Sequence, residues 1–563
     1  MTDREIVADA VVVGSGGGLA GAVTAAAQGL RTIVIEKEPL IGGSTAMSGG
    51  VLWLPNNPLM QEEGVPDSFE DAMAYFETVV GDAGPASSEA RRAAYVTEGA
   101  EMIQFLRSRG LRFMRCEGYS DYYAGMRGIR GGKARGRSIE PVPFDGHHLG
   151  ADYARLRPGM AAGLGIAVLT QEAAKLQLVR RVPKSWWVAG KVAARTARAK
   201  VRKQALLTNG AALVAQTLRA ALDLGAEVFT DSPLVDLFVE EGRVVGVIAR
   251  QGAETVRIIA RRGVLLSAGG FARNDRMRQT YGKQPASTRW TIANPGDTGE
   301  VIEAAMHHGA DVDFMDEAWW TPASVNPAGI PSLHIGERTK PHSIIVDREA
   351  QRYFNEGISY VEAGRQMYAH GAVPSWLLLD SYHRDRYLFA FKTKTPQEWL
   401  DSGYMKKADT IEGLAQQCGL DPQKLRATVD RFNEHARRGV DPDFHRGEGD
   451  HERYQGDYTH KPNPSVGPLD KAPFYAVELF PGDVGTSGGL LCDEKARVLD
   501  KDRRVIPGLY AAGNCTASVM GRTYPGAGAS IGASHVFSYI AMKDAALGAS
   551  TPSAQAAARS GDR

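Results

Sequence analysis

The stretch MGRTYPGAGASIGAS, residues 520–534, puts a phenol, Tyr524, directly before a Pro-Gly pair and a run of residues with almost no side chain. Pro525 and Gly526 read as a tight turn. Gly528, Ala529 and Ser530 read as the opening of a helix that continues until Gly548 stops it. A helix start offers unpaired backbone N–H groups and the positive end of the helix dipole. A group that is negative, or becoming negative, can lie there.

A second set of chemistry-bearing residues is the glycines that end apolar runs. In ADAVVVGSGGGLAG, Gly14 and Gly16 let the backbone turn and approach a pyrophosphate, with Ser15, Gly17 and Gly18 in the same loop. The spacing is irregular: counted from Gly14 the third glycine position holds Leu19, whereas counted from Gly16 the set is Gly16, Gly18 and Gly21. Glu36, closing the next apolar run RTIVIEK, can bind ribose hydroxyls. The cluster IGGSTAMSGG follows at once, and Gly42, Gly43, Ser44, Thr45, Ser48, Gly49 and Gly50 would give N–H and hydroxyl donors along a cofactor longer than a nicotinamide site needs. GVLLSAGGFARN and GLYAAGNCTAS repeat the pattern of an apolar strand ending in Ala-Gly.

These residues need a frame, and the sequence outlines one. Strand, glycine loop, small-residue helix and second strand make a βαβ unit at the N-terminus. Glycine-ended strands gathered from both ends of the chain imply one sheet interrupted by an insertion. The expected fold is α/β: a Rossmann-like cofactor domain built from residues 1–314 and 465–548, and an inserted α+β capping domain at 315–464. Alternation between residues 231 and 263 reads as a β-meander. TIEGLAQQCGLDPQKLRATVDRFNEHARRG reads as two helices with a start at DP. The small, polar tail at 549–563 reads as disordered.

Bulk composition narrows the function classes. Lys and Arg number 66 against 65 Asp and Glu, which gives no argument for a nucleic-acid partner. Glycine, at 64 of 563 residues, exceeds the usual share of about 7% and favours close backbone approaches to a ligand. Cys116, Cys418, Cys492 and Cys515 are far apart, and the pairs His147-His148 and His307-His308 lack ligand spacing, so no metal site is expected. The N-terminus does not read as a secretory signal and no apolar run approaches the length of a membrane span, so a reducing, cytoplasmic setting is expected.

One segment stands apart. Residues 155–204 open with an apolar stretch too short to cross a bilayer, then turn strongly cationic, with Trp186 and Trp187 among the lysines and arginines and Glu172 the only acid. Aromatics at headgroup level with a basic face toward anionic lipid would make a monotopic anchor, placing the protein at the inner face of the membrane.

Motif order gives the chain a family resemblance. The N-terminal βαβ, GGSTAMSGG, SAGGF, NPGDTGE, RYFNE and YAAGN occur in the order of flavoproteins of the fumarate reductase and 3-ketosteroid dehydrogenase superfamily. SDYYAG, GRSIEPVPFDG, NEGISY and GRTYPGAG resemble the 3-ketosteroid Δ1-dehydrogenases in particular. The resemblance implies FAD, held non-covalently because GGSTAMSGG has no histidine, with Lys37, Val235, Ala268, Gly269, Asp297, Gly513, Asn514, Ala529, Ser530 and Ile531 added to the cofactor contacts. It implies a 3-ketosteroid substrate whose C3 oxygen is held by the Tyr524 hydroxyl and the Gly528 N–H. Tyr360 would take the C2 proton with Tyr122 as its hydrogen-bonding neighbour, and the C1 hydride would go to flavin N5. A quinone or another acceptor would remove the electrons. Tyr360 stands where fumarate reductases place a proton-delivering arginine, which argues against dicarboxylate substrates. A Δ4-(5α)-dehydrogenase and a non-enzymatic lipid escort on the same fold remain alternatives.

Overall fold

The computed structural model describes residues 4–160, 162–179 and 182–548. The tail at 549–563, expected to be disordered, lies outside the described residues. Among the described residues the first sheet has eight strands. Its main path runs Arg497–Leu499, Val505–Ala511, Glu254–Leu266, Arg4–Val13, Thr32–Ile35 and Glu227–Phe229, and Arg243–Gln251 and Leu234–Glu240 extend antiparallel from Glu254–Leu266. Arg4–Val13 is parallel to Thr32–Ile35 and to Glu254–Leu266, which is parallel in turn to Val505–Ala511. The two ends of the chain therefore build one sheet, and 231–263 is a meander, as the sequence implies.

Thr32–Ile35 is buried at every position, because helices cover a parallel sheet on both faces. The helix Gly18–Ala27 packs against the C-terminal helix Ala529–Leu547, which begins at Gly528 and ends at Gly548 as read from the sequence. Small residues make that contact possible: a Cβ at Gly21 would lie 2.6 Å from Leu265 Cδ2 and 3.0 Å from the Ser538 carbonyl oxygen.

The second sheet is antiparallel, in the order Pro331–Leu333, Ala318–Val325, Phe474–Thr486, Ser375–Leu379, Ser343–Val346, with Met405–Ala408 also on Phe474–Thr486. Its central strand thus comes from beyond residue 464, where the sequence reading ends the capping region. A sheet is completed by strand pairing, not by contiguity, and Phe474–Thr486 is the strand that joins Ala318–Val325 to Ser375–Leu379. The helices Ile411–Cys418 and Pro422–Ala436 cover this sheet; Gly419 closes the first at φ 69°, and Asp421 caps the second through the Gln423 and Lys424 N–H groups.

The basic segment forms the helices Thr170–Leu176 and Pro183–Val201. It is moored on two sides. Thr170 N and Gln171 N donate to the buried Glu140 carboxylate at 2.8 and 3.3 Å, and Thr170 Oγ1 donates to the Gly49 carbonyl at 2.7 Å. On the other side Leu178 and Val182 pack on Tyr387. No helix among the described residues is long and apolar enough to cross a membrane.

Gly21→Ala is expected to destabilise the protein by about 1–3 kcal/mol through overpacking between the sheet and the C-terminal helix. The measurement is the midpoint of denaturant unfolding.

Candidate active site

A cavity opens outside the carboxyl ends of the parallel strands, lined by Val13, Ile35 and Ser267 at those ends and by Leu333, Ile335 and Val484 from the second sheet's side. Open α/β sheets bind ligands in that position. Arg4–Val13 delivers Gly14 at φ 104°, where a Cβ would collide with the Ser267 carbonyl. Only glycine allows the two strand ends to meet this closely. Ser15, Gly16 and Gly17 then line the wall before the positive end of the helix Gly18–Ala27.

Glu36 is held rather than free. Its Oε2 accepts the Ser15 N–H at 3.1 Å and the Ser15 hydroxyl at 2.6 Å, and its Oε1 accepts the Glu38 N–H at 3.0 Å. Lys37 donates to Glu300 at 2.6 Å and to Thr298 Oγ1 at 2.5 Å. Asp297 accepts the Ser44 hydroxyl at 3.0 Å, and burial pushes its carboxyl up to about 7 against the opposing effects of that hydrogen bond and of Lys37. Asn294 Oδ1, on the same wall, is buried without a partner among the described residues. A polar ligand that donates there would complete it. The glycine turn, the fixed acid, the hydroxyls of Ser44, Thr45 and Ser48, and this orphaned acceptor fit a dinucleotide lying along the cavity.

At the cavity's other end the phenols converge. Tyr360 is 5.3 Å, ring centre to ring centre, from Tyr524 and 5.6 Å from Tyr122, and Tyr122 is 5.9 Å from Tyr524. The Tyr524 hydroxyl lies 3.1 Å from Ser530 Oγ and 3.4 Å from Ser530 N, over the start of the C-terminal helix. Gly528 is at φ 90°, with Val51 where a Cβ would go; its carbonyl accepts from Trp53 N and Gly532 N. Its own N–H has no acceptor among the described residues. Tyr360 opens the helix Tyr360–Ala369. Burial holds Tyr360 and Tyr122 well above the usual phenol range, reinforced for Tyr360 by Tyr524 and for Tyr122 by Tyr119. Hydrogen bonding from Tyr122 works in the opposite direction on Tyr360.

Most residues singled out from the sequence line this one cavity: Gly14, Ser15, Gly16, Gly17, Glu36, Lys37, Gly43, Ser44, Thr45, Ser48, Gly49, Ala268, Gly269, Asp297, Gly513, Asn514, Ser530 and Ile531, with Tyr122, Tyr360, Tyr524 and Gly528. Five do not. Gly18 packs on Val12 and Ser267; Gly42 donates its N–H to Ser15 Oγ at 2.8 Å; Gly50 turns the chain at φ 67° beside Asn209; Ala529 is fully buried. Val235 is 48% exposed, and the wall expected of it is made by Ser232, Pro233 and Leu234. Sequence reasoning missed Tyr119, Asn294, Met160 and Thr170, all of which line the cavity. The NPGDTGE motif carried a signal for Asn294, its first residue; the other three depend on tertiary folding.

Comparison with known proteins matches residues 9–531 to the family described as FAD binding domain. The chain is 42% identical over 566 residues to the 3-oxosteroid 1-dehydrogenase of Mycolicibacterium smegmatis, covering 97% of this chain and 98% of that one. It is 34% identical over 568 residues to the 4-oxocyclohex-2-ene-1-carboxylate 5-dehydrogenase of Sinomonas cyclohexanicum, covering 97% and 94%. Among solved structures it superposes on the 3-ketosteroid Δ1-dehydrogenase from Sterolibacterium denitrificans, determined in complex with 1,4-androstadiene-3,17-dione, with TM-score 0.89 and 35% identity over 96% of this chain and 100% of that one.

Gly14→Ala is expected to yield protein without bound FAD, since the added methyl forces the strand end away from Ser267. The absence of flavin absorbance in the purified variant, beside yellow parental protein, is the readout.

Proposed function

We infer that this chain, which belongs to the FAD-binding family of the 3-oxosteroid 1-dehydrogenases, is a FAD-dependent enzyme that removes the hydrogens of C1 and C2 from a 3-ketosteroid. The observation that carries the reading is one loop, 524–528, whose Tyr524 and Gly528 line the same cavity as two further phenols and the glycine cradle, the Gly528 N–H having no acceptor among the described residues.

The Tyr524 hydroxyl and the Gly528 N–H are the donors assigned to the C3 oxygen. Fixed donors in a dry site stabilise the charge that builds on that oxygen, and the adjacent C2 proton becomes acidic. Tyr360 takes that proton as a phenolate, after its own hydroxyl proton has passed outward through the hydrogen bond to Tyr122. Both phenols are neutral at rest, so the phenolate forms only transiently. Bound in the cradle, FAD supplies the two-electron acceptor for the C1 hydride, which leaves a C1–C2 double bond. A quinone or a soluble carrier is the acceptor proposed for the onward electrons.

The walls favour a neutral, apolar substrate. Lys37 is the one cation among the lining residues, and Glu300 already holds it at 2.6 Å. A carboxylate substrate finds no clamp here, whereas Met47, Val51, Leu333, Ile335 and Val484 suit a steroid skeleton. Met160, on the lining and 52% exposed, belongs to the same basic segment as Trp186 and Trp187, which are 58% and 68% exposed. Lys191 lies 5.3 Å over the Trp187 ring. Those features support seating this segment on anionic lipid, with the cavity mouth near the surface where sterols dissolve.

Anaerobic addition of a 3-ketosteroid is expected to bleach the flavin absorbance, with deuterium lost from C1 and C2 of labelled substrate; loss from C4 and C5 instead refutes the regiochemistry. Tyr360→Phe is expected to keep FAD while slowing bleaching by about 10²–10⁴-fold, whereas Tyr524→Phe also weakens steroid binding. In flotation, parental protein is expected to rise with phosphatidylglycerol vesicles and a Trp186→Ser/Trp187→Ser variant to stay below; equal behaviour of the two removes the membrane reading.

A further inference from the structure

The phenol pair poses an electrostatic problem. Burial raises both Tyr360 and Tyr122, and the phenols beside them, Tyr119 and Tyr524, raise them further. His451, whose ring lies 4.1 Å from Tyr122, brings no charge, since burial pushes it down to about 3. A transient phenolate in such surroundings needs a fixed cation nearby.

Arg338 meets that need. It is 1% exposed, in the short turn Glu337–Thr339. One terminal nitrogen donates to the Glu356 carbonyl, and the other donates to the Ile358 carbonyl at 2.6 Å. These carbonyls lie four and two residues before Tyr360, so the guanidinium grips the chain that leads into the Tyr360 helix. No carboxylate among the described residues lies within ion-pair distance of it. Glu356 is spent on Arg352 at 2.7 Å and Arg446 at 3.2 Å, and Glu452 accepts from Asn355 Nδ2 at 2.9 Å and from Gly447 N. Burial pulls the Arg338 guanidinium down to about 10, and the Tyr122 phenol is among the groups that oppose this. The other groups facing it are Arg446, which opposes its charge, Glu356 and Glu452, which favour it, and His334 and His451, both held toward neutrality by burial.

The same segment holds the far end of the phenol chain. Lys340 donates to the Gln455 and Gly456 carbonyls, and Gln455 Nε2 donates to the Tyr119 hydroxyl at 3.3 Å. Tyr119 lies 6.5 Å from Tyr122, ring centre to ring centre. Arg446 braces the segment from behind through the carbonyls of Arg338, Lys340 and Ser343.

We propose that Arg338 is a positioning residue for this reaction: its guanidinium fixes the start of the helix that bears Tyr360 and supplies the positive charge against which the Tyr360 and Tyr122 pair releases its proton. The proposal rests on the dehydrogenase reading above. Bleaching of the parental flavin by a 3-ketosteroid tests that reading, and the displacement of a pH profile tests Arg338.

The experiment is stopped-flow flavin reduction by a 3-ketosteroid across pH, with Arg338→Gln and Arg338→Lys beside the parental enzyme. The parental rate rises with pH as the phenol pair ionises. Arg338→Gln is expected to slow reduction by about tenfold to a hundredfold at neutral pH, with the rising limb moved about one unit or more upward and the rate recovering as pH increases. Arg338→Lys keeps the charge and is expected to keep the limb in place with a smaller loss. An unmoved limb in Arg338→Gln, or an equal displacement in Arg338→Lys, overturns the proposal. Should Arg338→Gln be isolated without FAD, a cycle of Arg338→Lys with Tyr122→Phe decides. A combined loss smaller than the product of the single losses is expected, and strictly multiplicative losses overturn the proposal.

Discussion

The Pro525 carbonyl accepts two hydrogen bonds, from the Tyr122 N–H at 2.9 Å and the Tyr75 hydroxyl at 2.8 Å, and the geometry of the phenol cluster depends on them. Proline fixes φ at that residue, and the next residue must be glycine because a Cβ on Gly526 would enter the Trp53 ring. Trp53 in turn donates to Asp121 at 2.8 Å, and Asp121 pairs with Arg137 at 2.9 Å. Tyr122 is therefore anchored through its own backbone and through the side chain before it. The turn after Tyr524 and the loop carrying Tyr122, about 400 residues apart in sequence, are joined directly by these bonds.

Charge is distributed to serve that body. Arg137 and Asp121 are both buried, and burial alone would raise the Asp121 carboxyl; Arg137, the Trp53 N–H and the Lys133 N–H oppose this. Such a buried pair contributes little net stability compared with well-packed apolar residues, but leaving one member alone is costly. Its value here is fixed geometry next to Tyr122. Arg338 and Arg446 follow the same logic on the other side of the cluster, where guanidinium groups take up backbone carbonyls that a tight, irregular segment cannot pair within itself.

Much of this was legible in the sequence because the cofactor half of the molecule is built from local rules. A glycine that a strand end needs, such as Gly14, an acid at the next strand end, such as Glu36, and a helix begun by Gly528 all declare themselves by neighbours in the chain. The resemblance then placed Tyr122, Tyr360 and Tyr524 together, and the fold brings them within one cavity. What stayed hidden depends on contacts between distant segments. Tyr119 carries no signal in its own neighbourhood, since the Gln455 amide that meets its hydroxyl lies 336 residues away in sequence. Phe474–Thr486 looks like a strand without saying which sheet it joins, so the capping boundary falls short in a linear reading. Val235 is displaced from the lining because the chain enters the sheet at Leu234, leaving the following side chain exposed.

A neutral phenol is a poor base in water, yet a phenol suits the role proposed for Tyr360 in this cavity. A carboxylate or an imidazolium facing the cavity would carry a charge that an apolar sterol cannot solvate, and the dry wall would shift it toward neutrality. In the proposed reaction the phenol is neutral while substrate enters and becomes charged only once a ketone oxygen is held by Tyr524 and Gly528. The cations proposed to serve that moment, Arg338 and Arg446, are tied to backbone carbonyls and do not line the cavity. Apolar access and proton abstraction make opposite demands on one small volume, and placing the permanent charge one layer back from the reacting surface lets the same residues meet both.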